Sequence, residues 1–321
     1  MRSQLLNITV SIILLLIVFA SGCATQPFPF ATQSFEPTLT PFQPAPTITP
    51  AAKLPPSTPS THPVTPTEEI AMIITPTQSP EKHIDEPALT TPTKQSAEVH
   101  EPGMITVPIL LYHHVSDTID TQYNVHPDRF AEQMKWLFDR GYSTISVADL
   151  ARVIRDGGAL PARPLILTFD DGYRDVYENA YPILQRYGFF ATFYIIGETV
   201  NTRGNLSTNE LLELIAGGWE IGSHSMSHTN LKEDNNWDYE IYNSKVFLEE
   251  KLGIEILTFA YPYGAANTAI MDYTYDSGYS AAVGLGSIMD HDNYDLYFLH
   301  RKEVKSWYEL DFFEEFMPWK D

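Results

Sequence analysis

Residues 165–172 read Leu-Ile-Leu-Thr-Phe-Asp-Asp-Gly, an apolar run that ends in two adjacent carboxylates and a glycine. A short apolar run bounded by turn-forming residues is typical of a buried strand. Adjacent residues of a strand face opposite ways, but a glycine-assisted turn at its end can bring Asp170 and Asp171 into one cleft. Taken alone, the two aspartates also fit an N-cap pair at the start of a helix.

The sequence around this strand repeats one pattern. From residue 105 onward, strand-length apolar runs alternate with segments of helical period, which predicts parallel strands joined by helices. The predicted strands are 107–112, 165–169, 191–196, 219–222, 257–261, 280–283 and 297–302, and the predicted helices are 127–140, 147–155, 173–187, 208–216, 238–252 and 269–277. About seven βα units predict one barrel-like or open α/β domain, with active residues at the C-terminal ends of the strands.

The N-terminal segment predicts export. Residues 8–20 form an apolar run of secretory-signal type, and 13 residues are too few to span a bilayer, which takes roughly 20 in a helix. Ala20-Ser21-Gly22-Cys23 follows, and it resembles a bacterial lipoprotein signal whose cysteine is lipidated. The alternative is an ordinary secretory cleavage site with an incidental cysteine. We therefore expect an extracytoplasmic protein, lipid-anchored to the membrane or, without lipidation of Cys23, secreted.

The region after this signal predicts a tether. Of the 24 prolines in the chain, 17 lie between Cys23 and Gly103, together with many Thr, Ser and Gln residues. Such a composition buries too little apolar surface to fold. We expect a signal segment at 1–23, a disordered Thr/Pro-rich linker at 24–104 and one folded domain at 105–321.

Charge and cysteine content exclude several function classes. The formal net charge is -21, from 41 Asp and Glu against 20 Lys and Arg, so general binding of nucleic acid or anionic lipid surfaces is disfavoured. With Cys23 as the single cysteine, no disulfide forms within the chain. Any metal site must therefore use histidine and carboxylate ligands.

A second motif supplies such ligands. His224 and His228 stand four apart after the predicted strand 219–222, so both imidazoles can reach one ion. Alone, they also fit two surface histidines in a polar loop. Together with Asp171 they form a three-ligand set with open positions, which suits a metal that activates water.

The two motifs resemble those of the polysaccharide deacetylases of the NodB-homology type, carbohydrate esterase family 4. Residues 168–172 look like the first motif of that family, and 224–228 match its His-Ser/Thr-x-x-His second motif. The resemblance covers residues 105–321 and implies an α/β fold, a distorted (β/α)7 barrel. It also implies that Asp170 is the general base and that Asp171, His224 and His228 hold a divalent metal, usually zinc.

The third motif departs from the family pattern. The family usually has Arg-x-Pro-Tyr, and this chain has Ala260-Tyr261-Pro262-Tyr263-Gly264. Tyr263 matches the residue whose backbone amide helps to bind the oxyanion, but Ala260 occupies the position of the arginine that orients the base. Our hypothesis is that Arg301, near the end of a late strand, replaces it.

The catalytic acid has two candidates. Typical members take it from a late Leu-x-His motif, whereas here His300 follows Leu299 directly. Residues 110–115 instead resemble the Tyr-His start of the branch that includes poly-N-acetylglucosamine deacetylases, in which the acid histidine comes from the first strand. We favour His113 and keep His300 as the alternative.

The aromatic run near the C-terminus also has two interpretations. Tyr and Trp residues between Trp307 and Trp319 could stack on sugars. We favour a terminal helix that packs Phe312, Phe313 and Phe316 against the barrel.

The resemblance implies a metal-dependent hydrolase that removes N-acetyl groups from an N-acetylglucosamine-containing cell-surface polysaccharide and releases acetate. Peptidoglycan, poly-N-acetylglucosamine and chitin-like polymers all remain open as the substrate. One alternative is an O-acetyl esterase acting on glycans such as acetylated xylan. Another is a catalytically degenerate carbohydrate-binding lipoprotein, because Ala260 replaces the arginine. The expected partners are an acetylated polysaccharide and, through the lipid anchor, the membrane; no protein partner is implied.

Overall fold

The computed structural model describes residues 97–321. The predicted signal segment, Cys23 and the linker up to residue 96 lie outside the described residues. Within residues 97–321, no helix has both the length and the apolar character needed to cross a bilayer.

Seven parallel strands close into a barrel, each pairing with the next along the chain and the last with the first. The predicted (β/α)7 barrel is therefore confirmed. The strands are β1 (Ile109–Tyr112), β2 (Pro164–Phe169), β3 (Thr192–Ile195), β4 (Glu220–Ser223), β5 (Thr258–Ala260), β6 (Ala281–Leu285) and β7 (Leu299–Glu303).

Helices surround the barrel and match the predicted segments closely. They are α1 (Pro127–Asp139), α2 (Val147–Asp156), α3 (Tyr181–Tyr187), α4 (Thr208–Ala216), α5 (Ser244–Leu252), α6 (Thr268–Asp276) and α7 (Leu310–Glu315). Two predicted helices open with a π-helical stretch, Val176–Ala180 before α3 and Asp238–Asn243 before α5. The short helix α7 buries Phe313 completely and leaves Phe312 45% exposed, so the predicted terminal packing rests chiefly on Phe313.

Short strands extend the fold outside the barrel. Ala97–His100 pairs antiparallel with Gly158–Pro161, and Ile105–Thr106 pairs antiparallel with Asp290–His291. Two more pairings are parallel: His114–Val115 with Asn124–Val125, and Ser143–Thr144 with β2. Among the described residues, the strand Ala97–His100 lies before the expected domain start at 105, and its pairing with Gly158–Pro161 attaches part of the expected linker to the folded domain.

The strand ends bring the predicted site residues to one rim of the barrel. His113 follows β1, Asp170 and Asp171 follow β2, and His224 follows β4. The carboxyl ends of parallel strands share one edge of a barrel, so side chains distant in sequence meet there.

Candidate active site

A cleft of about 360 Å³ opens at this rim. Its volume lies near the lower end of the range for ligand pockets, roughly 300–1,000 Å³. The predicted site residues that line it are His113, Asp170, Asp171, His224, His228, Tyr263 and Arg301, and the cleft also contains Leu111, Tyr123, Tyr173, Tyr261, Gly264, Leu285 and Glu303.

Asp171, His224 and His228 form a group able to hold a metal ion. Oδ1 of Asp171 lies 3.5 Å from Nε2 of each histidine, and one potential ligand atom from each residue falls within a 4.8 Å cluster. Within residues 97–321 no hydrogen-bond donor satisfies this buried oxygen. Two imidazoles and an unsatisfied carboxylate oxygen converging on one point fit the donor set of a catalytic zinc site.

Backbone geometry and one hydrogen bond set the ligand directions. Asp171, Ser225 and His228 have φ values of 74°, 64° and 63°, in the left-handed region that few non-glycine residues occupy. The ring nitrogen Nδ1 of His224 lies 2.8 Å from the carbonyl oxygen of Ala260. A carbonyl can only accept, so the proton sits on Nδ1 and the lone pair on Nε2 faces the metal position.

Glu240 supports the loop between the two histidines. Its Oε2 accepts hydrogen bonds from the backbone N–H groups of Met226 and Ser227, at 3.1 and 2.9 Å, and its Oε1 accepts one from the Ser227 hydroxyl at 2.6 Å. The N–H of His228 donates to Oγ of Ser225 at 2.8 Å. A buried carboxylate on the neighbouring π-helical segment thus holds the loop from inside the protein.

Arg301 and Asp170 form a buried bidentate ion pair. Nη1 and Nη2 of the arginine donate to the two carboxylate oxygens at 2.7 and 2.8 Å, and both side chains are almost fully buried. Nη1 also donates to the Thr168 hydroxyl at 3.3 Å, and Nε donates to the Gly284 carbonyl at 3.2 Å. The guanidinium is therefore fixed by its other bonds as well as by the aspartate.

The two adjacent aspartates have opposite pKa shifts. Burial favours the protonated form of Asp170, but the positive charge of Arg301, with further contributions from His224, outweighs it and lowers the pKa to about 2. Burial and the neighbouring negative charge of Asp170 raise the pKa of Asp171 to about 7. Burial lowers the pKa of His224 to about 4, so its imidazole is neutral near pH 7, as a metal ligand must be. Asp170 can thus remain ionised as a base, while Asp171 gains most from a bound cation.

Ala260, which stands where the third motif usually has arginine, contributes to the site through its backbone. Ala260 is fully buried, and its carbonyl orients His224. The guanidinium that meets Asp170 comes instead from β7, through Arg301. The side chains of a strand alternate, so Arg301 and Glu303 face the cleft while His300 lies on the opposite side of β7.

His113 is the candidate acid that lies in the cleft. Its Nδ1 is 3.8 Å from Oε1 of Glu303, and its ring lies 5.1 Å from the ring of Tyr123, measured between centroids. Burial lowers its pKa, while the negative charges of Asp170 and Glu303 oppose that effect. His300 does not belong to the cleft lining and packs near Phe298.

Tyr263 lies at the turn that follows β5. Its side chain is 63% exposed, its φ is 59°, and its ring packs edge-on against His228 with 4.7 Å between centroids. The turn therefore places this residue beside His228, one of the candidate metal ligands.

Sequence reasoning missed Glu240, Glu303 and Tyr123. Glu240 stands four residues before Ser244 and eight before Leu248, and all three are buried, so it continues the inward-facing stripe of the helix. A carboxylate on such a stripe is a signal for a buried role. Glu303, two residues after Arg301, shares its side of β7, but no sequence feature pointed to Tyr123.

Comparison with known proteins shows that the chain is similar to polysaccharide deacetylases. A family profile described as polysaccharide deacetylase matches residues 157–282, which include Asp170, Asp171, both histidines and Tyr263. A crystal structure of a polysaccharide deacetylase from Bacillus cereus superposes with a TM-score of 0.60 at 26% identity, covering 67% of this chain and 69% of that one.

Two sequence relatives cover different shares of the chain. A Bacillus subtilis (strain 168) protein, provisionally named a polysaccharide deacetylase, is 28% identical over 200 residues, which are 62% of this chain and 71% of that protein. The poly-beta-1,6-N-acetyl-D-glucosamine N-deacetylase of Staphylococcus aureus (strain MRSA252) is 29% identical over 161 residues, 45% of this chain. The second match spans 55% of the staphylococcal protein, so it leaves nearly half of that relative unmatched.

Proposed function

We propose that this chain, which matches the polysaccharide deacetylase profile over residues 157–282, removes N-acetyl groups from N-acetylglucosamine residues of a cell-surface polysaccharide and releases acetate, with a divalent metal as cofactor. The observation that carries the proposal is the placement of Asp170. Its carboxylate is held by Arg301 and lies 3.6 Å from Nε2 of His224, beside the group that can hold the metal.

Asp171, His224 and His228 would hold the metal, and zinc is the ion that this donor set suits best. A bound divalent metal acidifies a water molecule and polarises the acetyl carbonyl. Asp170, ionised because of Arg301, would take the proton of the attacking water. The backbone amide of Tyr263 would stabilise the oxyanion.

The leaving amine then needs a proton, and His113 would supply it. This imidazole lies in the cleft on the wall formed with Tyr123 and Glu303. The carbon–nitrogen bond breaks, the nitrogen takes the proton from His113, and the products are acetate and a free amine on the glycan. Asp170 and His113 would thus act as base and acid.

Two substitutions separate the proposed base from the proposed ligands. Asp170→Asn should keep the metal and lose most activity, whereas His224→Ala should lose both metal and activity. Acetate release from N-acetylglucosamine oligomers and metal content are measured on the same preparations. Loss of metal from Asp170→Asn, or full activity of His224→Ala, would contradict these roles.

The same chemistry would also remove an O-acetyl ester, so the substrate decides between the two reactions. Acetate release from N-acetylglucosamine oligomers and from acetylated xylan, compared at equal enzyme concentration, separates them. A folded protein that binds no metal and acts on neither substrate would favour the carbohydrate-binding alternative, whereas a metal-loaded protein that is silent on both would favour a longer glycan.

The location is part of the proposal. A lipidated Cys23 followed by an extended linker of about 80 residues, at about 3 Å per residue, would let the catalytic domain reach glycans well away from the membrane. Metabolic labelling with a fatty-acid probe, compared between the natural chain and Cys23→Ser, tests the anchor.

A further inference from the structure

A second groove continues from the catalytic cleft. It has a volume of about 340 Å³ and shares Leu285, Arg301 and Glu303 with the cleft. We call it the side groove, and its remaining lining residues are Gly286, Ser287, Lys302, Lys305 and Tyr308. Since the two spaces share three residues, a chain molecule bound in the cleft can continue into the side groove.

One wall of the side groove is an aromatic ring held in place. Tyr308 packs edge-on against Phe312, with 4.5 Å between ring centroids, and against Phe316 at 5.7 Å. Its position is also fixed through the backbone, since its carbonyl accepts a hydrogen bond from Arg129. The fixed ring of Tyr308 lies in the same groove as the hydroxyl of Ser287 and the ammonium groups of the two lysines. This combination suits a pyranose, which has apolar C–H faces and polar edges.

The charge of the side groove is opposite to that of the chain. The lining of the side groove contains three basic residues, Arg301, Lys302 and Lys305, and one carboxylate, Glu303, in a chain with 41 acidic and 20 basic residues. Arg301 is neutralised by Asp170, and Lys305 pairs with Glu303. Among residues 97–321 no ion pair to Lys302 is found, and its Nζ lies 5.9 Å from the ring centroid of Tyr308 and 5.4 Å from that of Phe316. Of the three basic residues in the lining, Lys302 is therefore the one without a carboxylate partner among the described residues, and its ammonium lies beside the aromatic wall.

We infer that the side groove binds the sugar next to the one being deacetylated, and that it accepts this neighbour as an acetylated, uncharged residue rather than as glucosamine. The inference rests on the proposed function. An ammonium group brought near Lys302 is repelled, whereas hydroxyl and acetamido oxygens accept hydrogen bonds from it. The reaction itself creates an ammonium group, so each product residue becomes a poor neighbour for the next reaction on that side. The glycan product should carry separated glucosamines.

The aromatic wall is tested with two substrates of different size. A pentamer of N-acetylglucosamine can fill both spaces, whereas 4-nitrophenyl acetate can fill only the cleft. Tyr308→Ala in the metal-loaded chain should lower kcat/KM for the pentamer roughly 3- to 10-fold and leave ester hydrolysis unchanged. Tyr294→Ala is the matched control, because Tyr294 is 98% exposed and lies outside both linings.

Each outcome has one meaning. An equal effect on both substrates, or no effect on the pentamer, would overturn the side groove as a sugar site. If the natural chain released no acetate from the pentamer, the proposed function would fail instead, so the two failures are distinguishable.

The charge selection is tested by sequencing early products. Mass spectrometry of doubly deacetylated pentamer from the natural chain should show adjacent glucosamines roughly fivefold below random placement. In Lys302→Gln, the frequency of adjacent glucosamines should return towards the random value. Lys251→Gln, which changes an exposed lysine on α5, should leave the frequency as low as in the natural chain. Random placement by the natural chain, or an unchanged pattern with Lys302→Gln, would overturn the selection.

Discussion

The guanidinium of Arg301, on the last barrel strand, meets the carboxylate of Asp170, at the end of the second, in a bidentate ion pair at 2.7 and 2.8 Å. The strand register explains how they meet: β7 pairs with β1, and β1 pairs with β2. An arginine on β7 is therefore two strands away from Asp170 around the closed barrel. In the usual third motif, the arginine that meets the base would lie on β5, at the position that Ala260 occupies in this chain.

Removing the arginine should shift the pH dependence of activity. Burial raises the pKa of Asp170, and Arg301 is the main group that opposes it. With Arg301→Met, the pKa should rise, and the acid limb of the kcat/KM profile should move to higher pH because the base must be ionised. A loss of roughly 3–5 kcal/mol of stability is also expected, since a buried charge loses its partner.

Arg301→Lys distinguishes the effect of the positive charge beside Asp170 from the effect of the two parallel hydrogen bonds. It keeps a positive charge but cannot form two parallel hydrogen bonds. We expect kcat to fall roughly 100-fold with a smaller shift of the acid limb. Arg155→Lys, at a surface position, should leave the profile unchanged. An acid limb that stays at the same pH in Arg301→Met would contradict the assigned role of the arginine.

The two candidate acids should respond differently to substitution. His113→Ala should lower kcat for amide hydrolysis by roughly 10²–10⁴, because the amine leaves only when protonated. It should have much less effect on 4-nitrophenyl acetate, whose leaving group needs no proton. His300→Ala should stay within a few-fold of the natural chain on both substrates. The reverse ranking on the amide would make His300 the acid.

Substitution of Glu240 should change the affinity for the metal and leave kcat at saturating metal nearly unchanged. Glu240→Gln weakens the bonds to the loop between His224 and His228, and loss of such a supporting interaction typically costs about 10- to 100-fold in metal affinity. Metal dissociation constants from competition with a chelating dye measure this directly, and kcat at saturating metal should stay within a few-fold. Glu250→Gln, at an exposed position on the same helix, is the control. Unchanged affinity would show that the loop holds its shape without Glu240.

Glu220 predicts a pH dependence of stability. Its carboxylate accepts hydrogen bonds from the hydroxyls of Thr258 and Thr192 and from the N–H of Ala148, and burial raises its pKa. A raised pKa in the folded state means that the stabilisation is complete below the ordinary glutamate pKa and is lost as pH rises through the raised value. Glu220→Gln should therefore gain free energy of unfolding relative to the natural chain between pH 4 and pH 8. Denaturant titration at both pH values measures the difference, with Glu255→Gln, an exposed position, as control; a relative loss at pH 8 would contradict the account.

Much of the fold could be predicted because its signals are local. Each barrel strand is a short apolar run, and each helix shows its period, so all seven strands and the first six helices match the expected segments. The strand at Ala97–His100 was not expected, since its pairing with 158–161 depends on backbone hydrogen bonds that composition does not reveal.

The site was predictable where its residues adjoin in sequence. Asp170 and Asp171, and His224 and His228, form compact motifs. Arg301 is far from Asp170 in sequence, and its candidacy came only from the missing arginine at Ala260. Glu240 could not be found in this way, because its role depends on burial against a loop that a different segment supplies.

The most direct test of the proposed function is acetate release from N-acetylglucosamine oligomers by the chain as purified, after chelation, and after zinc is restored. We expect release that stops on chelation and returns with zinc, and no release by Asp170→Asn although it still binds metal. Release that continues at the same rate without metal would contradict the roles assigned to Asp171, His224 and His228.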